Sequence, residues 1–121
     1  MLSRITSVAF KGVEAQRVAV EVHIGAGLPS FKIVGLAEKA VTESGERVRS
    51  ALNSVGFSLP PKRIVVNLAP ADMTKEGSHF DLPIAVGLLC AMDVLPNEAL
   101  QNYTLMGELG LDGRIDRKSV V

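Results

Sequence analysis

Residues 63–92 read RIVVNLAPADMTKEGSHFDLPIAVGLLCAM: a β-branched run, a polar connection and an apolar run in immediate succession. Pro60-Pro61 just upstream forces an extended entry, so Arg63–Leu68, with Ile64, Val65 and Val66, is expected as an interior strand. Ala69–Phe80 follows as a loop. Leu82–Met92 is apolar nearly all round, which suits a helix buried on several sides beneath a sheet. Asp81 is placed to cap that helix through its carboxylate, with Pro83 in the first turn, where no intrahelical donor is needed. The helix should reach about Val94.

Working outward, Ile5–Phe10 and Arg17–Ile24 alternate, the second with Val18, Val20, Val22 and Ile24 on one face and Arg17, Glu21 and His23 on the other. That period of two predicts half-buried strands, joined as a hairpin through Lys11–Gln16. Phe31–Val34 is a third strand. From Ala37 to Val55, apolar or small residues recur at the helical period, with Gly56 beyond them as the C-cap. The opposite face carries Glu38, Lys39, Glu43, Glu46, Arg47 and Arg49, where Glu43 and Arg47 stand at the favourable i,i+4 spacing. Downstream, Pro96–Leu100 predicts a short helical turn. Tyr103–Leu111 predicts a strand turning at Asp112-Gly113, with its partner beginning at Arg114. The class is α+β, a mixed sheet packed with two main helices.

Hydrophobic residues make up 47% of the 121 positions and charged residues 21%, enough apolar surface to fold as one domain. Formal net charge is +0, with seven basic and five acidic side chains in residues 1–60 and six and eight in residues 61–121. No overall field draws in nucleic acid or membrane, so any binding face must be local. Cys90 alone forms no internal disulfide and suits a reducing compartment, so a soluble, cytoplasmic protein is expected. No apolar run approaches a membrane span of ~20 residues. A multi-aromatic stacking platform is hard to assemble from 4% aromatics with no Trp.

The pattern GxxxxGK[ST] is absent, so nothing here cradles a nucleotide phosphate as a P-loop does. Gly25-Ala26-Gly27 continues into Leu28-Pro29-Ser30 without a helix and reads as an ordinary loop. His23, His79 and Cys90 lack metal-ligand spacing. The loop Lys75-Glu76-Gly77-Ser78-His79-Phe80-Asp81 is the richest in functional groups. One reading makes Ser78 a nucleophile with His79 or a lysine as base. The other makes it a structured connection, because neighbouring Ser78 and His79 point different ways and capping explains Asp81.

The segment VNLAPADMTKEGSHFDLPIA, with IVGL at Ile33–Leu36, ERVRSAL at Glu46–Leu52 and GELGLDG at Gly107–Gly113, resembles the N-terminal domain of ComM-type, magnesium-chelatase-like AAA+ proteins over nearly the whole chain. The resemblance implies a ribosomal protein S5 domain 2-like fold, shared with the Lon peptidase domain and the RadA C-terminal domain. Residues 1–121 would then be one N-terminal domain, a fragment of a longer chain with an AAA+ module after Val121. It further implies a hexameric ATPase that partners itself and DNA in branch migration during natural transformation, with ATP and Mg held by the full-length protein and none by this fragment. An alternative is a Lon-like ATP-dependent peptidase domain, and another a magnesium-chelatase-type subunit.

Aligned on its glycine, the Lon-type nucleophile loop corresponds to Lys75-Glu76-Gly77 and sets His79 at the nucleophile position, with Ser78 one residue earlier. The catalytic Lys would fall at or just beyond Val121, leaving Lys118 out of register. The resemblance therefore implies an incomplete dyad and no catalytic residue. For DNA contact, Lys62, Arg63, Lys75, Arg114, Arg117 and Lys118 are the candidates toward phosphates. Arg47 and Arg49 are instead read as a solvated helix face, explained by acidic partners three and four residues away.

Overall fold

A computed structural model describes residues 1–70 and 75–114. β1 (Leu2–Lys11) and β2 (Glu14–Gly25) form a hairpin whose pairing runs from Leu2 opposite His23 to Lys11 opposite Glu14. β3 (Ser30–Val34) leads through α1 (Glu38–Ser54) to β4 (Arg63–Ala69), which lies parallel to β3 and antiparallel to β2. The crossover helix is what lets two parallel neighbours follow one another in sequence. The sheet order is β1-β2-β4-β3. A short 3₁₀ turn, Ser78–Phe80, opens α2 (Asp81–Ala91), and another spans Asn97–Leu100.

The alternation seen in the sequence decides which face is covered. Ile5, Val18, Val20, Val22, Ile24, Ile33, Ile64, Val66 and Leu68 turn inward and are buried, and both helices pack on that side. α2 lies over β1 and β2, burying Ile84, Ala85, Leu88 and Ala91. Ser3 Oγ donates to the Gly87 carbonyl at 2.6 Å, fixing helix to sheet. α1 buries only the stripe Ser44, Val48, Ala51 and Leu52, as its amphipathic pattern requires. It ends at Val55, where Gly56 (φ +93) lets Phe57 N bond Leu52 O at 2.8 Å and Gly56 N bond Asn53 O at 3.1 Å. This pair of bonds is the Schellman closure, for which glycine is the favoured residue.

Three expectations are corrected. Tyr103–Leu111 is not a continuous strand: Thr104 bridges to Thr6 and Leu109 is a second isolated bridge position, while Leu105 N bonds Thr6 O, Gly107 N bonds His79 O and Leu82 N bonds Gly107 O. The segment threads between the β1 edge and the start of α2, and its buried Leu105, Gly107 and Leu109 imitate strand alternation. The turn at Asp112-Gly113 does form, with Gly110 N on Arg114 O at 2.7 Å, and the rest of the expected partner strand lies outside the described residues. α2 stops at Ala91 rather than Val94, because Asp93 takes φ 62. Asp81 makes no side-chain cap bond. Among the described residues, no helix is long and apolar enough to cross a membrane.

Candidate functional site

Asp81 is fully buried, and its carboxylate is shared among three segments. Ser44 Oγ donates to Oδ1 at 2.5 Å, Arg47 Nε to Oδ2 at 2.5 Å and Nη2 to Oδ1 at 3.2 Å, and Leu109 N to Oδ2 at 3.2 Å. Four donors on two oxygens offset the cost of burying the charge, which a lone ion pair does poorly. The cap role expected for Asp81 is therefore replaced by a clamp joining α1, α2 and the Gly107–Gly113 segment. Arg47 is corrected with it. Glu43 reaches Arg47 only at 4.0 Å, and the guanidinium pKa is raised above its ordinary value chiefly by the bond to Asp81, against desolvation.

Lys75 is 1% exposed. Its ammonium donates to Leu68 O at 2.7 Å and to Pro70 O, while its backbone pairs with Gly35 and Ala37. It holds the connection after β4 against the end of β3. This removes Lys75 from the expected DNA-contacting set, since an interior ammonium offers nothing to a phosphate. Glu76 and Gly77 are exposed, Ser78 and His79 half-buried. His79 Nε2 sits 2.8 Å from Val8 O, and a carbonyl only accepts, so this nitrogen carries the proton. The ring is flanked by Phe10 and Phe80, with centroids at 6.0 and 4.1 Å. A side chain at Gly77 would meet His79 Nδ1 at 2.7 Å, so the ring lies directly over that backbone. Ser78 and His79 form no hydrogen bond with one another among the described residues. Lys75, His79 and Asp81 are thus used in holding the fold, and the Lon-like peptidase reading is not favoured.

Lys62 and Arg63 are adjacent and exposed, Lys62 in the bend just before β4 and Arg63 at its first position. Arg114 pairs with Asp112 at 3.2 Å across an exposed turn. Arg117 and Lys118 lie outside the described residues. Arg49 does not pair with Glu46 within 4 Å among the described residues; its guanidinium stands 5.5 Å over the Phe31 ring. Sequence spacing missed this contact because it joins a helix to a strand edge eighteen positions earlier. Among the described residues no group of three or more His, Cys, Asp or Glu could hold a metal ion.

The family model for subunit ChlI of Mg-chelatase matches residues 20–121. The chain is 50% identical to the competence protein ComM of Haemophilus influenzae over 114 residues, 94% of this chain and 22% of that protein. It is 48% identical to the uncharacterized protein YifB of Escherichia coli over the same shares, and 42% identical to an uncharacterized protein of Mycobacterium tuberculosis over 94% of this chain. It thus spans about a fifth of the length of the curated relatives it matches. The extent of the family match and the identity to ComM agree: this chain belongs to the Mg-chelatase ChlI family and is ComM-like within it.

Proposed function

We propose that this chain is the N-terminal accessory domain of a ComM-like hexameric AAA+ ATPase acting in DNA branch migration during natural transformation, in the cytoplasm. It performs no bond-breaking chemistry, packs between subunits of the ring and contacts DNA. The observation that carries this reading is the 50% identity to a competence protein over 94% of the chain. Consistent with it, Lys75, His79 and Asp81 are engaged in bonds that hold the fold. ATP and Mg belong to a module after Val121. The four-stranded mixed sheet with two helices on one face supports the ribosomal protein S5 domain 2-like classification.

The test is a chimaera in which this chain replaces the matching region of the Haemophilus influenzae protein. Its size is measured by sedimentation and its ATP-dependent movement of a branched DNA junction by gel assay. A hexamer that moves the junction is expected. ATP hydrolysis with a static junction, or a folded chimaera that does not assemble, overturns the reading. The family match also favours a chelatase-type subunit as a second reading, which requires ATP-dependent metal insertion into a tetrapyrrole instead.

A further inference from the structure

Formal neutrality hides an uneven placement of charge. Arg4, Arg47 and Arg114 each reach a carboxylate, at 3.7, 2.5 and 3.2 Å. Lys32, Arg49, Lys62 and Arg63 reach none within 4 Å among the described residues, and all four gather where β3 and β4 begin. Lys32 stands opposite Val65 and Arg63 opposite Ser30, which makes the two cations diagonal neighbours on the uncovered sheet face. Strand spacing and rise put their backbones on the order of 8 Å apart. Around the strand ends from them, Arg49 and Lys62 line a crevice of about 440 Å³ between α1 and the sheet. No Asp or Glu lines it. Its apolar surface includes Phe31, Ile64 and Leu59 with Pro29, Pro60 and Pro61, and Asn53 and Ser58 add hydrogen-bonding groups.

We propose that this end of the sheet is a binding site for single-stranded nucleic acid, with one nucleotide seated in the crevice. Its phosphate lies between Arg49 and Lys62, and the strand continues over Lys32 and Arg63. The inference rests on the DNA-contacting reading above and deepens it. Clustered cations without carboxylates favour phosphates. An apolar crevice beside them accepts a base that has left its stack, which a duplex does not offer. One aromatic ring, Ile64 and four prolyl or leucyl side chains replace the multi-aromatic platform the composition cannot supply.

The experiment is an amide NMR titration of the 121-residue chain with a thymidine oligonucleotide about ten nucleotides long, followed by affinity measurements across a salt series. Shifts centred on Phe31, Arg49 and Lys62 are expected. The pair Arg49→Gln with Lys62→Gln should flatten the salt slope by about 1.4, at ~0.7 per lost contact. The pair Lys11→Gln with Lys39→Gln, of equal charge, should leave it unchanged, and all four positions can be checked for folding by their melting curves. If no oligonucleotide binds at all, the DNA-contacting reading fails together with this site. If binding persists but both pairs weaken it equally, this site alone fails. Equal competition by the duplex or by polyglutamate also overturns it.

Discussion

Removing the carboxylate of Asp81 leaves Arg47, Ser44 and Leu109 N without their shared acceptor inside the fold. Asp81→Ala should cost about 3–5 kcal/mol of stability, and Arg47→Ala a comparable amount because it strands a buried negative charge. Urea denaturation checks both. The double variant should lose less than the sum, as expected for two groups acting through one interaction. Cys90 gives a second test. Burial pushes its thiol pKa up, so the folded chain keeps a proton that the unfolded chain releases above pH about 8.5. Stability from this group is full below that pH and falls as pH rises toward the raised folded value. Cys90→Ala should make stability less dependent on pH in the alkaline range. At this scale the sequence was least informative. Asp81 lies 37, 34 and 28 positions from Ser44, Arg47 and Leu109, and local rules assigned Asp81 to a cap and Arg47 to Glu43.

Two glycines separate the two helices as elements. Gly87 on α2 packs so closely on the sheet that an added Cβ would stand 2.9 Å from Val22 Cγ2 and 3.6 Å from Ile5 Cγ1. Gly87→Ala should destabilise by about 1–3 kcal/mol, since Val22 is fully buried with no room to yield. Gly45 on α1 meets only ordinary contacts, 3.9 Å to Ile33 and to Phe31. Gly45→Ala should therefore stabilise by up to about 1 kcal/mol through helix propensity. Thermal melts of the two variants should move in opposite directions. Elements were the most legible level: β1, β2, β4 and both helices follow from period and punctuation, because local burial pattern and hydrogen bonding agree there. Tyr103–Leu111 was misread for a stated reason. Its alternating burial arises from successive bonds to Thr6, His79 and Leu82, three partners that no local rule could supply.

At the scale of the whole molecule, a sheet covered on one face leaves Arg4, Arg17, Lys32 and Arg63 on the other, against Glu21 as its acid. The net charge of +0 gave no sign of this, because a sum carries no positions. Lys62 and Arg63 were legible as candidates, whereas Lys32 and Arg49 required the β3–β4 register and the contact with Phe31. The expected Lys75 contact failed because burial cannot be read from a charged residue in a polar loop. The role proposed for this domain is binding and assembly within a motor, without chemistry of its own. The most direct measurement compares junction movement and ATP hydrolysis in the chimaera carrying Gln at 32, 49, 62 and 63 with the unsubstituted chimaera. Junction movement lost while hexamer size and ATP hydrolysis persist is the predicted result. Junction movement at the unsubstituted rate would contradict the account.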